Sequence, residues 1–242
     1  TFQGHVMYNH GMQNMNVYFN GLEYELRDQC RSDFDHALIT MSGANFNPIE
    51  IIKSENNRWN DGLQIPALQL HWGNSRFFDF LQNRFNRYSF DDNGGQLMSI
   101  LDSTKPGFGG FNYFGMYSMH GPLNTGSLNY WVTLDVIGHE WMHALLFSEN
   151  VLKWTNESSA INEGLCDIMG TMFEFETEYK YDLIKTGDWT IAEDVDNSPI
   201  RNLSNPKAFA YPDTYWSSTY LNSTDKYERS AVAAYWFYLL SE

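Results

Sequence analysis

His139-Glu140-Trp141-Met142-His143, followed by Asn162-Glu163-Gly164-Leu165-Cys166-Asp167, is the stretch on which the reading of this chain turns. On an α-helix, residues one turn apart share a face, so an i, i+4 histidine pair presents two imidazole nitrogens to one tetrahedral cation, zinc being the best fit. Glu140 sits next to the first histidine but is rotated away from it. A carboxylate there is poorly placed to ligate the same ion and well placed to take a proton from a water on it, which is hydrolase chemistry.

Two histidines leave a catalytic zinc short of one protein ligand and one open position. Glu163 is the best candidate for the third ligand. A second helix is expected from about Ser158, with Ser158 or Ser159 as N-cap and Ile161, Leu165, Ile168, Met169 and Met172 recurring at helical spacing. Glu163 and Asp167 then lie one turn apart on one face, and Asp167 can accept the spare ring N–H of His139 and fix its tautomer. The competing three-histidine zinc pattern requires Gly and His where this chain has Leu146 and Glu149.

With these residues in hand, the chain resembles the thermolysin-like neutral zinc metallopeptidases. The resemblance runs from Leu134-Asp135-Val136-Ile137-Gly138 through the histidine pair. It continues in Asn156-Glu157-Ser158-Ser159-Ala160-Ile161-Asn162-Glu163, Asp167-Ile168-Met169-Gly170-Thr171, Asp188-Trp189 and Glu193-Asp194-Val195. Weaker matches lie between Ala67 and Asp102, in Phe111-Asn112-Tyr113-Phe114, at Arg201 and Pro212-Asp213, and from Ser230 to Leu239. It implies an α+β fold: a β-rich N-terminal lobe over residues 1–133, and a mainly helical C-terminal lobe over 134–242 that is shorter than in relatives. The zinc helix would form the floor of the cleft between them.

Further roles follow from the resemblance. The Asn112 side chain and the Tyr113 main chain match positions that bind substrate backbone by strand addition at a sheet edge. Val136, Ile191, Val195 and Ile200 match the apolar pocket for the side chain just after the scissile bond, with Arg201 beside it. Trp154 falls where relatives carry an oxyanion-donating tyrosine, and an indole N–H can also donate. Relatives place a histidine opposite the zinc, but this chain has none after His143; anchoring on Ser230 and Tyr238-Leu239 puts Tyr227 there. Asp135, Glu174, Asp188 and Glu193, with the Thr190 carbonyl, supply hard oxygen ligands for one or two structural Ca²⁺ ions. The alternative, a solvated acidic patch, would leave four anions repelling one another.

Composition bounds the rest. Among 242 residues, 30 acidic against 15 basic give a formal charge of −15, which disfavours nucleic acid and anionic membranes as partners. No apolar run reaches the ~20 residues needed to cross a bilayer. Thr1-Phe2-Gln3-Gly4-His5 carries no signal-peptide pattern, so a leader or pro-segment is expected to have been removed or left out, consistent with a secreted protein. Cys30 and Cys166 neither demand nor exclude a disulfide.

In the first half, strands are expected at Asn16–Phe19, Ala37–Thr40, Gln96–Asp102 and Phe111–Met119. One helix is expected to be capped by Asn74 or Ser75 and to bury Phe77, Phe80, Leu81 and Phe85. His71 is expected to be a packed, hydrogen-bonded histidine, and His120 suggests no role. The expected function is that of a monomeric zinc metalloendopeptidase acting on peptide or protein substrates. The alternative is a zinc- and calcium-stabilised pseudopeptidase that serves as a binding or scaffold module.

Overall fold

The computed structural model describes all residues except 1, 7–10, 32–37, 45–47, 60–61, 115, 151, 153–154, 182 and 184–186, and only the backbone of 2–6. The first half holds β1 (Phe2–Val6), β2 (Gly11–Met15), β3 (Tyr18–Phe19), β4 (Tyr24–Glu25), β5 (Arg27–Asp28), β6 (Leu38–Gly43), β7 (Glu50–Ile51) and β8 (Lys53–Ser54). Helix α1 (Gln64–Phe85) and strands β9 (Leu97–Asp102), β10 (Gly109–Asn112) and β11 (Tyr117–His120) follow. The second half is built on α2 (Leu134–Ser148) and α3 (Asn156–Lys180), a small pair β12 (Thr190–Ile191) and β13 (Arg201–Asn202), then α4 (Ser218–Asn222) and α5 (Lys226–Ser241). The fold is α+β, with most of the sheet in the first half and most of the helix in the second.

The main sheet runs β10-β11-β9-β6-β5, with β7 also paired to β6. Strands β6, β9 and β11 are parallel, while β10 and β5 are antiparallel to their neighbours. Parallel neighbours need a crossover, and α1 supplies the one between β6 and β9. The expected single strand Phe111–Met119 is in fact a hairpin: the chain turns between Asn112 and Tyr117, with Met116 at φ 52°. This leaves β10 at the sheet edge.

Helix α1 starts ten residues before the expected Asn74, at Gln64, with Pro66 in its first turn, where a missing N–H costs nothing. Asn74 and Ser75 are buried inside it. Ser75 Oγ donates to the Trp72 carbonyl at 2.7 Å, and Asn74 accepts from Trp141 Nε1 and donates to Ser99 Oγ, both at 2.8 Å. Ser99 Oγ lies 2.6 Å from Ser118 Oγ, which is 3.1 Å from His120 Nε2, and His120 Nδ1 donates to the Trp131 carbonyl. His120 thus ends a buried polar chain linking the sheet, α1 and α2. Each buried polar group in it is satisfied by a neighbour.

His71 is packed as expected: it is fully buried, with Nδ1 3.0 Å from Thr40 Oγ1 and Nε2 2.9 Å from the Asn16 carbonyl. One apolar core joins Leu38 and Leu97 of the sheet, Phe77 and Leu81 of α1, Ile137 and Trp141 of α2 and Phe173 of α3. Phe85, expected on that stripe, is half exposed at the end of α1.

Helix α3 begins at Asn156, with Thr155 before it, rather than at Ser158 or Ser159. Of the expected apolar stripe, Ile168 is buried and Leu165 and Met169 are half-buried, while Ile161 and Met172 are exposed; the buried surface also carries Glu163, Gly164, Asp167, Gly170, Thr171 and Glu174. That face meets α2. A Cβ on Gly170 would lie 2.2 Å from the Asp135 carbonyl oxygen, and one on Gly138 would lie 2.9 Å from Gly170 Cα. Only glycine permits this approach of two helix backbones.

Gly170→Ala is therefore expected to destabilise the protein by about 1–3 kcal/mol or more, read from urea unfolding, because the clash is with backbone that cannot rotate away. Burial lowers the pKa of both His71 and His120 from 6.5 to about 4. The unfolded chain then binds more protons across this interval, so each histidine contributes stability that is complete above pH 6.5 and lost as pH falls toward 4. In metal-free protein, His71→Gln should flatten the acid limb of the stability curve by about 1.4 kcal/mol per pH unit.

Candidate active site

Helices α2 and α3 run antiparallel through the glycine contact, which sets His139 against Asp167 and His143 against Asn162. His139 Nδ1 is 2.8 Å from Asp167 Oδ1, and His143 Nδ1 is 2.7 Å from Asn162 Oδ1. Both Nδ1 atoms therefore carry a proton, which makes the Nε2 atoms the edges that a metal would meet. Glu163 Oε2 lies 3.3 Å from His139 Nε2 and 3.6 Å from His143 Nε2. This oxygen is buried and faces the histidine pair. Three electron-pair donors in a buried site call for a cation, and two imidazoles with one carboxylate suit zinc with an open position.

The charges agree with this reading. Burial opposes protonation of His139, but Asp167 and Glu163 outweigh it and push its pKa up to about 10. Burial and the charge on His139 push His143 down to about 3. Burial raises Glu163 too, but His139, His143 and Lys226 hold it well below the usual carboxylate range. Without metal the cluster thus attracts one positive charge. Cys166 also comes within ligand range of the two histidines. Its sulfur sits 3.1 Å from His143 Nδ1, the nitrogen bonded to Asn162, whereas Glu163 sits at the Nε2 edge. Burial, reinforced by nearby carboxylates, raises the thiol pKa. Neither Cys166 nor Cys30 forms a disulfide.

Glu140 is buried beside His139 at the edge of a pocket of about 260 Å³. Desolvation raises its carboxyl to about 7, and nearby positive charge limits the rise. A Cβ built on Gly109 would lie 3.4 Å from Glu140 Oε1, so edge strand β10 passes directly beside the carboxylate. Val136, Ile191, Ile200, Arg201 and Tyr227 line this pocket, as does Trp131, which the sequence did not single out. Val195 lies just behind it, packed with Val136 and Ile191. Arg201 forms two 2.7 Å hydrogen bonds to Asp167, which locks the carboxylate that orients His139.

Asn112 is the last residue of β10 and pairs with Tyr117. The Tyr113 ring lies 6.2 Å from that of His143, and 5.2 Å from those of Phe111 and Phe147. The Tyr227 ring faces Arg201 at 5.4 Å and Lys226 at 4.6 Å. Trp154 lies outside the described residues.

The acidic group is arranged differently from the expected set. Glu174, Glu193 and Asp194 bring carboxylate oxygens within 4.8 Å of one another. Asp188 Oδ1 accepts from Thr190 N at 2.7 Å, and Thr190 Oγ1 lies 2.9 Å from Glu193 Oε2. Asp135 accepts backbone N–H groups of Val136 and Ala192, and burial together with Glu193 raises its pKa to about 7.

Sequence reasoning missed Asn162, Asp194 and Lys226. Asn162 and Asp194 adjoin residues already singled out, and that adjacency was the available signal. Lys226, which donates to Glu163 Oε1 at 2.6 Å across 63 residues of sequence, gave none.

A helix-borne histidine pair faced by a carboxylate of the next helix, with a sheet edge beside them, is the arrangement expected of a metallopeptidase scaffold. A family model described as "Thermolysin metallopeptidase, catalytic domain" matches residues 1–146, and one described as "Thermolysin metallopeptidase, alpha-helical domain" matches residues 150–242. The chain belongs to the thermolysin metallopeptidase family.

It is 29% identical to a bacillolysin of Bacillus cereus over 227 residues, covering 88% of this chain and 37% of that protein. It is 26% identical to a thermolysin of Alicyclobacillus acidocaldarius over 230 residues, covering 90% of this chain and 40% of that protein. The chain thus spans about two fifths of the length of such relatives. In fold it is similar to the precursor of protealysin, a metalloproteinase from Serratia proteamaculans, with TM-score 0.61 at 19% identity, covering 84% of this chain and 68% of that one.

Asp167→Asn should weaken zinc binding about 10–100-fold, measured by competition with a chromophoric chelator, because it removes the charge that fixes the His139 tautomer.

Proposed function

We propose that this chain is a secreted zinc metalloendopeptidase that cuts peptide bonds before large apolar residues, with His139, His143 and Glu163 as zinc ligands. The observation that carries the reading is Glu140, a buried carboxylate beside three converging donors at the mouth of a partly apolar pocket. A zinc ion held there would polarise the scissile carbonyl and make water nucleophilic near neutral pH.

Glu140 takes the proton of the attacking water and passes it to the leaving amine, and its burial, which raises the carboxyl pKa, makes it a stronger base than an exposed glutamate. Asp167, locked by Arg201, keeps His139 in the required tautomer. Tyr227 and Trp154 donate to the developing oxyanion. The substrate pairs its backbone with Asn112 and Tyr113 along the β10 edge, and its next side chain enters the pocket of Val136, Ile191 and Ile200, with Val195 behind and Arg201 beside it. The lobes divide near residue 133.

We also propose that Ca²⁺ joins Glu174, Glu193 and Asp194, with Asp135, Asp188 and Thr190 adjacent. Carboxylate oxygens crowded within 4.8 Å support a cation there. Among the described residues no helix is long and apolar enough to cross a membrane.

The zinc-loaded chain should cleave a mixed peptide library before large apolar residues. Glu140→Gln should keep its zinc and lose roughly 10²–10⁴-fold in rate. A wild type that holds one zinc yet cuts no faster than Glu140→Gln would overturn the peptidase reading and favour a zinc-stabilised binding module.

A further inference from the structure

Lys226 belongs to no role described above, yet its ammonium touches the proposed metal ligand set. It is the first residue of α5, and its backbone is fixed by Asp225, whose side chain accepts from the N–H groups of Tyr227 and Glu228. Helix α5 lies close against α3 next to Glu163: a Cβ on Gly164 would meet the Ser230 carbonyl oxygen at 2.9 Å and Ala233 Cβ at 3.0 Å. From this position Lys226 Nζ reaches Glu163 Oε1 at 2.6 Å, while Glu163 Oε2 faces the Nε2 atoms of His139 and His143 at 3.3 and 3.6 Å. The carboxylate is divided between an ammonium and the histidine pair.

We infer that Lys226 is a positioning residue of the metal centre, holding the outer oxygen of Glu163 so that a single oxygen is presented to the ion. A carboxylate free to rotate can bind zinc through either oxygen or both, which would consume the open position that substrate needs. The ammonium removes that freedom. Because Glu163 is buried, the contact is a charge-assisted hydrogen bond to a desolvated acceptor, donated by a lysine whose own side chain keeps 38% exposure. The Tyr227 ring, 4.6 Å from Nζ, flanks the lysine on the pocket side. Asp167 and Glu163 are then held alike, each by its own cation, Arg201 and Lys226.

The inference rests on Glu163 being the third ligand, and one set of titrations separates the two claims. Zinc dissociation constants are measured by chelator competition for wild type, Lys226→Met, Lys226→Arg, Glu163→Gln and the Lys226→Met/Glu163→Gln double variant. Melting curves of the metal-free proteins establish that each is folded. The d–d spectrum of the cobalt(II) forms reports coordination number.

Lys226→Met is expected to weaken zinc about 10–100-fold and alter the cobalt spectrum. Lys226→Arg should recover most of the affinity, and the methionine change should add nothing in the Glu163→Gln background. Arginine also tests the idea should the methionine variant not fold, since a wild-type constant and spectrum restored by a second cation require the charge at this position. If Lys226→Met lowers only the metal-free melting temperature, the lysine is a structural ion pair and the inference is overturned. Tighter zinc binding overturns it too, because the ammonium would then be competing with the metal. If Glu163→Gln binds zinc as wild type does, the ligand assignment fails and the inference falls with it.

Discussion

The contact of Gly138 with Gly170 is the constraint on which the site depends. The distance between α2 and α3 decides whether a histidine on one helix and a carboxylate on the other can share an ion. With no Cβ at either position, the helices approach until a side chain at Gly170 would collide with the Asp135 carbonyl. At that separation both histidines find their Nδ1 partners on α3, at 2.8 and 2.7 Å, and Glu163 reaches the Nε2 side. A wider spacing would part both buried imidazoles from these hydrogen-bond partners, which is costly. The same crossing carries Asp135 and Glu174 on the extensions of the two helices.

The helix pair is fixed to the sheet by the polar chain from Trp141 through Asn74, Ser99 and Ser118 to His120. Trp141 lies midway between His139 and His143, about half a turn from each, so the anchor sits on the face of α2 opposite the histidine pair. Apolar packing alone tolerates small slides; a satisfied buried hydrogen-bond chain has a defined register. This accounts for α1 being buried on several sides, with its mid-helix asparagine joining the sheet and α2.

Helix α2 and its histidine face were legible because their information is local: histidine spacing, intervening glutamate and helical period lie within five residues. The ends and faces of its neighbours were not. Hydrophobic periodicity in α3 found the packed Leu165, Ile168 and Met169 but also took in the exposed Ile161 and Met172, and it passed over the face that builds the site, which is made of carboxylates and glycines and so looks solvated. Asn74 read as a helix cap because nothing local shows that its partners come from α2 and β9. The strand expected from Phe111 to Met119 concealed a turn that no Gly-Asn pair announces. Lys226 was invisible for a stricter reason: its contact with Glu163 depends on how α5 crosses α3.

The three carboxylates of the cleft are sorted by environment. Asp167 is held by Arg201 and His139, and Glu163 by Lys226, and both stay ionised well below neutral pH. Glu140 is equally buried, but among the described residues no cation is hydrogen-bonded to it, and desolvation carries its carboxyl to about 7. A carboxylate committed to an ammonium or guanidinium is a poor base, because its charge is already compensated. One left without such a partner in a dry site gains free energy by taking a proton. Carboxylates that differ in pKa through their surroundings take different chemical roles, and in the proposed reaction the residue left able to move a proton is the one adjacent to the histidine pair.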